Sequence, residues 1–188
     1  MTNNKIFFKQ HLLRAALLIS IGIILIACSN AQTPPNTAQA IEYRGAQFGF
    51  RLSYPAQWQV LEDPPPMVGD NPTILHAVTL QPPQDSKALV VVYIQTLTTT
   101  QTLAEYASQQ MISLGANEVG ATFSDLAVTQ LGGLDARSTN AADDKSQLRR
   151  MIITLNNAKA YAVLLFGPPS NDLAAQFETM VQSFRFLP

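Results

Sequence analysis

Ala88-Leu89-Val90-Val91-Val92-Tyr93-Ile94 is an unbroken apolar run, mostly β-branched or aromatic, with no charge, glycine or proline inside it. A strand with one wet face alternates apolar and polar residues, whereas a continuous run is apolar on both faces and has to be covered on both. The segment Lys87 to Leu97 is therefore expected as a central strand.

The flanking segments supply its neighbours. Thr73 to Gln81 reads as a second strand, joined to the first through the turn-rich Pro82-Pro83-Gln84-Asp85-Ser86. Downstream, Thr102-Leu103-Ala104-Glu105 has capping-box spacing, in which the threonine oxygen accepts from the N–H three residues on and the glutamate reaches back. The helix it opens carries Leu103, Ala107, Met111 and Leu114 on one stripe, and Gly115 is expected to stop it. Glu118 to Leu131 has Phe123, Leu126 and Val128 at mixed spacing, so neither period wins, and Gly132-Gly133 then marks a tight turn.

Leu134 to Asn140, Ser146 to Leu155 and Lys159 to Phe166 read as three strands of an antiparallel meander. Hairpin chemistry lies between them at 141–145 and at Asn156-Asn157-Ala158. Gly167-Pro168-Pro169 breaks the sheet. Ser170 or Asn171 caps a last helix with Leu173, Phe177, Met180, Val181 and Phe184 on the stripe that covers a sheet face. At the front, Ile41 to Gly45 begins order, and Phe48 to Ser53 alternates with Phe48, Phe50 and Leu52 on one side. Tyr54-Pro55 closes that strand, Trp58 follows, and 62–72 is too rich in proline and turn residues for regular structure. Strands that do not alternate regularly with helices indicate an α+β fold with an antiparallel sheet.

The N-terminal segment is of another kind. Lys5, Lys9 and Arg14 precede thirteen uncharged residues, Ala15 to Ala27, which is the basic region and short apolar core of a secretory signal. A membrane-spanning helix needs ~20 apolar residues, so the run is short for one, and an uncleaved anchor is the lesser alternative. Leu25-Ile26-Ala27-Cys28 resembles the bacterial lipobox. That resemblance implies cleavage between Ala27 and Cys28 and lipidation of Cys28, the chain's single cysteine. Two or more acyl chains, at ~0.8 kcal/mol per buried CH₂, would hold a soluble domain on a membrane. Residues 28–40 are polar and contain Pro34-Pro35, which suits a solvated linker between a signal at 1–27 and a domain at 41–188.

About 160 residues would remain after cleavage, enough for one well-formed core. The whole chain has 12 Lys+Arg and 13 Asp+Glu; three of the bases and none of the acids lie before Cys28. The remainder thus has nine bases against thirteen acids, a net charge of −4. Arg149-Arg150 is the sole adjacent basic pair, so no nucleic-acid partner is expected.

Phe48-Gly49-Phe50-Arg51-Leu52-Ser53-Tyr54-Pro55 with Trp58 is similar to the opening signature of the PsbP-like superfamily, which includes photosynthetic PsbP proteins and the Ran-binding Mog proteins. Element order extends the likeness over Ile41 to Pro188: the helix beginning at Leu103, the late strand with Tyr161-Ala162-Val163-Leu164, Gly167-Pro168-Pro169, and the last helix closing at Ser183-Phe184. The resemblance implies about six main antiparallel strands flanked by helices, an α/β/α sandwich, and a binding or assembly role without catalysis. In a phototrophic host it would imply an extrinsic photosystem II subunit. Secretion excludes the intracellular role of the Mog branch.

No catalytic motif, cofactor or metal site is expected. After cleavage His76 is the one imidazole, and a structural role mid-strand suits it better than a triad. Asn140, Asp143 and Asp144, and separately Glu62, Asp63 and Asp70, are oxygen-rich, but lack EF-hand spacing and read as solvated turns. Phe50, Tyr54 and Trp58 either line a glycan or lipid groove or, the better expectation, pack in the core. These readings together describe an extracytoplasmic lipoprotein of the cell envelope, tethered through Cys28 and binding a protein partner there. A glycan- or lipid-binding lipoprotein is the alternative.

Overall fold

The apolar run becomes the third strand of a seven-stranded sheet, and it is covered on both faces. The computed structural model describes residues 39–61, 74–83, 87–117, 122–141 and 147–188, within a compact unit Ala38–Pro188. Its elements are β1 (Ala40–Gly45), a 3-10 turn (Ala46–Phe48), β2 (Phe50–Pro55), β3 (Gln59–Leu61), β4 (Ile74–Gln81) and β5 (Leu89–Thr96). Then come α1 (Leu103–Asn117), β6 (Ala127–Leu131), β7 (Leu134–Asn140), β8 (Leu148–Asn156), β9 (Lys159–Phe166), α2 (Asn171–Ser183) and β10 (Arg185–Phe186). The large sheet runs β3-β4-β5-β9-β8-β7-β6 with every neighbour antiparallel. A second sheet, β1-β2-β10, is also antiparallel.

Period-two alternation sorts the central strands into two cores. Val90, Val92 and Ile94 join Tyr161, Val163 and Leu165 of β9 on one face, beneath Phe50 and Leu52 of β2 and Leu173, Phe177, Met180 and Val181 of α2. Val91 and Tyr93 join Met151, Ile153 and Leu164 on the other, beneath Tyr106 and Ala107 of α1. Val90, Val91 and Val92 are each wholly buried, and such burial contributes ~1.5–3 kcal/mol per side chain. The α+β fold with an antiparallel sheet between helices is thus the observed architecture. The expected stripe of α2 is buried throughout, and Ser170 is its cap, accepting from the Leu173 N–H at 3.3 Å.

Two-residue turns set the register on the β6 side of the sheet and at the β8–β9 hairpin. Gly132 and Gly133, at φ 61° and 85°, join paired Leu131 and Leu134. Asn157 and Ala158, at φ 49° and 58°, do the same between Asn156 and Lys159. Positive φ at both central positions is the hairpin geometry that matches strand twist.

Two expectations need correction. Phe48 is not in the strand with Phe50 and Leu52: it ends the 3-10 turn, and Gly49 at φ 78° interrupts the alternation before β2 begins. Gly115 does not end α1, which continues to Asn117; glycine inside a helix costs ~1 kcal/mol relative to alanine but does not forbid it. The large sheet has seven strands, in keeping with the expected antiparallel sheet of about six main strands, and the ambiguous segment supplies β6 at its edge. There Leu131 is buried while Val128 is 75% exposed, so an edge strand left no clean alternation. The separate small sheet also includes β10, whose two residues pair with Arg51 and Phe50 and are too short to show a period. The signal, Ala27, Cys28, nearly all of the linker and the segment 62–73 lie outside the described residues.

Candidate functional site

Phe50, Tyr54 and Trp58 occupy the core. They are 0%, 8% and 4% exposed, and belong to the cluster between the large sheet and α2. Phe50 stacks on Phe184 with centroids 5.0 Å apart, and Phe186 meets the edges of Phe184 and Tyr161. The Trp58 indole N–H donates to Gln176 Oε1 at 2.8 Å, which satisfies its polar end against α2. The three rings therefore hold β2, the turn after it and α2 together. They do not form a groove open to a ligand.

The basic pair is likewise spent on internal contacts. Arg149 Nε donates to the Gly167 carbonyl at 2.7 Å. Arg150 pairs with Glu178 of α2 at 2.7 Å and lies over the Phe177 ring.

A cleft of about 350 Å³ with a mixed polar and apolar lining lies at one end of the central strands. One wall is the β5–α1 connection, Leu97 to Gln101, and the other is the tip of the β8–β9 hairpin, Leu155 to Ala158. The Leu97 N–H donates to the Ala158 carbonyl at 2.9 Å and fastens the two walls. Behind the connection, the Thr102 N–H and hydroxyl donate to Glu105 Oε2 at 2.9 and 2.8 Å, while the Glu105 N–H donates to Thr102 Oγ1 at 3.2 Å. This is the expected capping box, and the Thr102 donors hold the Glu105 carboxyl below its usual range.

Thr98, Thr99, Thr100, Gln101, Asn156 and Asn157 line the cleft together with Leu97, Leu155 and Ala158. None of the nine residues is ionisable. Gln101 Nε2 donates to Thr99 Oγ1 at 3.2 Å, but Gln101 Oε1 is buried without a partner among the described residues. Sequence reasoning passed over this cleft. Its visible trace is Thr98-Thr99-Thr100-Gln101, a polar stretch directly after the most apolar strand, while the opposing wall comes from more than fifty residues downstream.

His76 lies on β4 across from Tyr93. Asn140 ends β7, whereas Asp143, Asp144, Glu62, Asp63 and Asp70 lie outside the described residues. Among the described residues no group of three or more His, Cys, Asp or Glu is placed to hold a metal ion. No described helix is long and apolar enough to cross a membrane.

Comparison with solved structures reaches across most of the chain. The solution structure of cyanobacterial PsbP (CyanoP) from Synechocystis sp. PCC 6803 superposes with a TM-score of 0.59, covering 81% of this chain and 95% of that one at 15% identity. The chain has a PsbP-like fold. A crystal structure of LpqN, described as involved in cell envelope biogenesis of Mycobacterium tuberculosis, shares it with a TM-score of 0.51. That alignment covers 80% of this chain and 91% of LpqN at 16% identity. No protein-family model matches the sequence, and no curated protein does.

Proposed function

We propose that this protein is an extracytoplasmic lipoprotein, tethered to a membrane through Cys28, whose PsbP-like domain acts by binding and supports assembly of a partner in the cell envelope. The observation that carries the reading is Leu25-Ile26-Ala27-Cys28, set directly after a basic and then apolar segment and ahead of a polar linker. The described domain adds support, since its open cleft is lined by threonine, asparagine, glutamine, leucine and alanine residues, a lining poor in general acids or bases. The LpqN likeness is in keeping with an envelope setting. A photosystem-associated role is the second reading, favoured by the CyanoP likeness, and it requires a phototrophic host.

Fractionation of the native host tests the proposal. The wild-type chain is expected in the membrane fraction and open to protease from the extracytoplasmic side, while Cys28→Ser is expected to lose the membrane association. Equal partitioning of both, or protection inside the cytoplasm, contradicts it.

A further inference from the structure

We propose that β6 is the interface of a symmetric dimer, in which the edge strands of two copies of this chain pair antiparallel about Thr129 and join their large sheets. The dimer is independent of the tether. Its foundation is the set of backbone groups left open on β6, which stands last in the large sheet and pairs there with β7 alone. The two-residue turn at Gly132-Gly133 makes Leu131 and Leu134 a pair that exchanges both backbone bonds, and such pairs alternate along an antiparallel ladder with pairs that exchange none. Ala127, Thr129 and Leu131 therefore turn their N–H and C=O groups to β7, while Val128 and Gln130 turn theirs away from it. Among the described residues nothing bonds to those four outward groups, and both residues are exposed. A row of open donors and acceptors is a template for another extended strand.

The other sheet edges carry features that discourage such pairing. β3 has three residues, β10 has two, and β1 contains Glu42 and Arg44. Ala127-Val128-Thr129-Gln130-Leu131 has no charge, proline or glycine, and its pairing with β7 runs without a bulge. A second copy suits this edge by its charge pattern. Thr129 lies opposite Ala136, which belongs with Leu131 to the core beneath α2, so Val128 and Gln130 stand on the other face with their partners Arg137 and Asp135. Pairing about Thr129 sets Val128 opposite Gln130 of the second copy, with both pairs exchanging two backbone bonds. Each row across the joined sheets then runs Arg137, Val128, Gln130, Asp135, a base from one copy and an acid from the other. A slip of two residues either way puts arginines, or aspartates, at both ends of a row. These charges stand about 14 Å apart, three strand spacings, so they choose the register more than they supply affinity. The two-fold consumes both β6 edges, which closes the assembly at two copies.

The test uses the full chain, in native membranes and purified from them in detergent. Thr129→Cys is expected to form an intermolecular disulfide under mild oxidation, because directly opposed residues that exchange no backbone bond have Cα atoms ~4.5 Å apart. Ala127→Cys, which would face Leu131 of the second copy, is expected not to. Wild type, whose only cysteine is Cys28, is the control for background cross-linking. Sedimentation equilibrium of the purified wild type should show monomer and dimer in exchange. Val128→Lys, at a position 75% exposed, should weaken the dimer roughly fivefold by bringing two like charges to diagonal positions, and should leave the urea midpoint unchanged. Mixing Val128→Lys with Val128→Glu should restore association, since the diagonal pair is then of opposite sign.

A wild-type chain that stays monomeric in membranes and in solution overturns the proposal, as does a dimer that Val128→Lys leaves intact. Trapping of Ala127→Cys in preference to Thr129→Cys, or of Thr129→Cys on a different polypeptide, also overturns it. Dimerisation of a chain that proves unlipidated would leave the interface standing and remove the tether. A lipidated monomer would do the reverse.

Discussion

Gly132 and Ala158 are the first and second central residues of two different two-residue turns, both at positive φ, one with the residue its backbone favours and one without. A Cβ on Gly132 would lie 2.8 Å from two ring carbons of Phe186 and 3.2 Å from Phe184, at a φ of 61° that side chains disfavour. Gly132→Ala is therefore expected to destabilise the domain by ~2–3 kcal/mol, read as a shift in the urea midpoint. Ala158 carries a Cβ at φ 58°. Ala158→Gly should relieve that strain and stabilise by ~0.5–1 kcal/mol, net of glycine's greater freedom in the unfolded chain. Both turns were legible as short breakers, the one at Asn157-Ala158 between two expected strands and the one at Gly132-Gly133 after a segment of ambiguous period. That Phe186 closes over one of them was not, because the partner lies more than fifty residues away. Trp58 illustrates the same division: its placement in the core followed from residue type, whereas its bond to Gln176 needed the fold.

At the level of elements, legibility followed burial pattern. β5 announced itself by being apolar on both faces, and α2 by a stripe that proves wholly buried. β6 did not, since an edge strand buries only Leu131, and Phe48 misled because Gly49 turns the backbone before the alternation begins. α1 was readable at its start, where three bonds join Thr102 and Glu105. Thr102→Ala should cost ~1 kcal/mol, and Thr102→Ser should restore most of it, measured by chemical denaturation. The pH response has a definite sign. Glu105 is held below its usual range, so its contribution is present above the unfolded carboxyl value and fades as pH falls through the folded one. Thr102→Ala should therefore lose part of its penalty in acid. The cleft beside this cap escaped sequence reasoning because its walls come from segments far apart in the chain, and only Thr98-Thr99-Thr100 hinted at one of them.

Across the whole molecule, two cores back one sheet, and both contain tyrosines. Tyr93 and Tyr106 are pushed up to about 12 by burial, and burial also raises Tyr43 and Tyr161. A folded-state value above the unfolded one near 10 means that this contribution is complete below pH 10 and is lost between about 10 and 12. Alkaline titration followed at 295 nm should show most tyrosines ionising above the ordinary value, together with unfolding; a single transition near 10 in a folded protein contradicts the packing described. The fold was legible at this scale because every strong signal, the central run, the cap and the last stripe, required packing on both sheet faces. A functional signal was legible only at the N-terminus, where a short motif resembles a lipoprotein signal and carries the proposed address; the cleft on the domain depends on distant segments meeting. The address is also the central claim, and intact-mass and N-terminal peptide mass spectrometry of the protein from its native membrane tests it most directly. The account predicts a mature chain that begins at Cys28 with a diacylglycerol adduct on the thiol; an unmodified chain beginning at Met1, or one cut elsewhere, would contradict it.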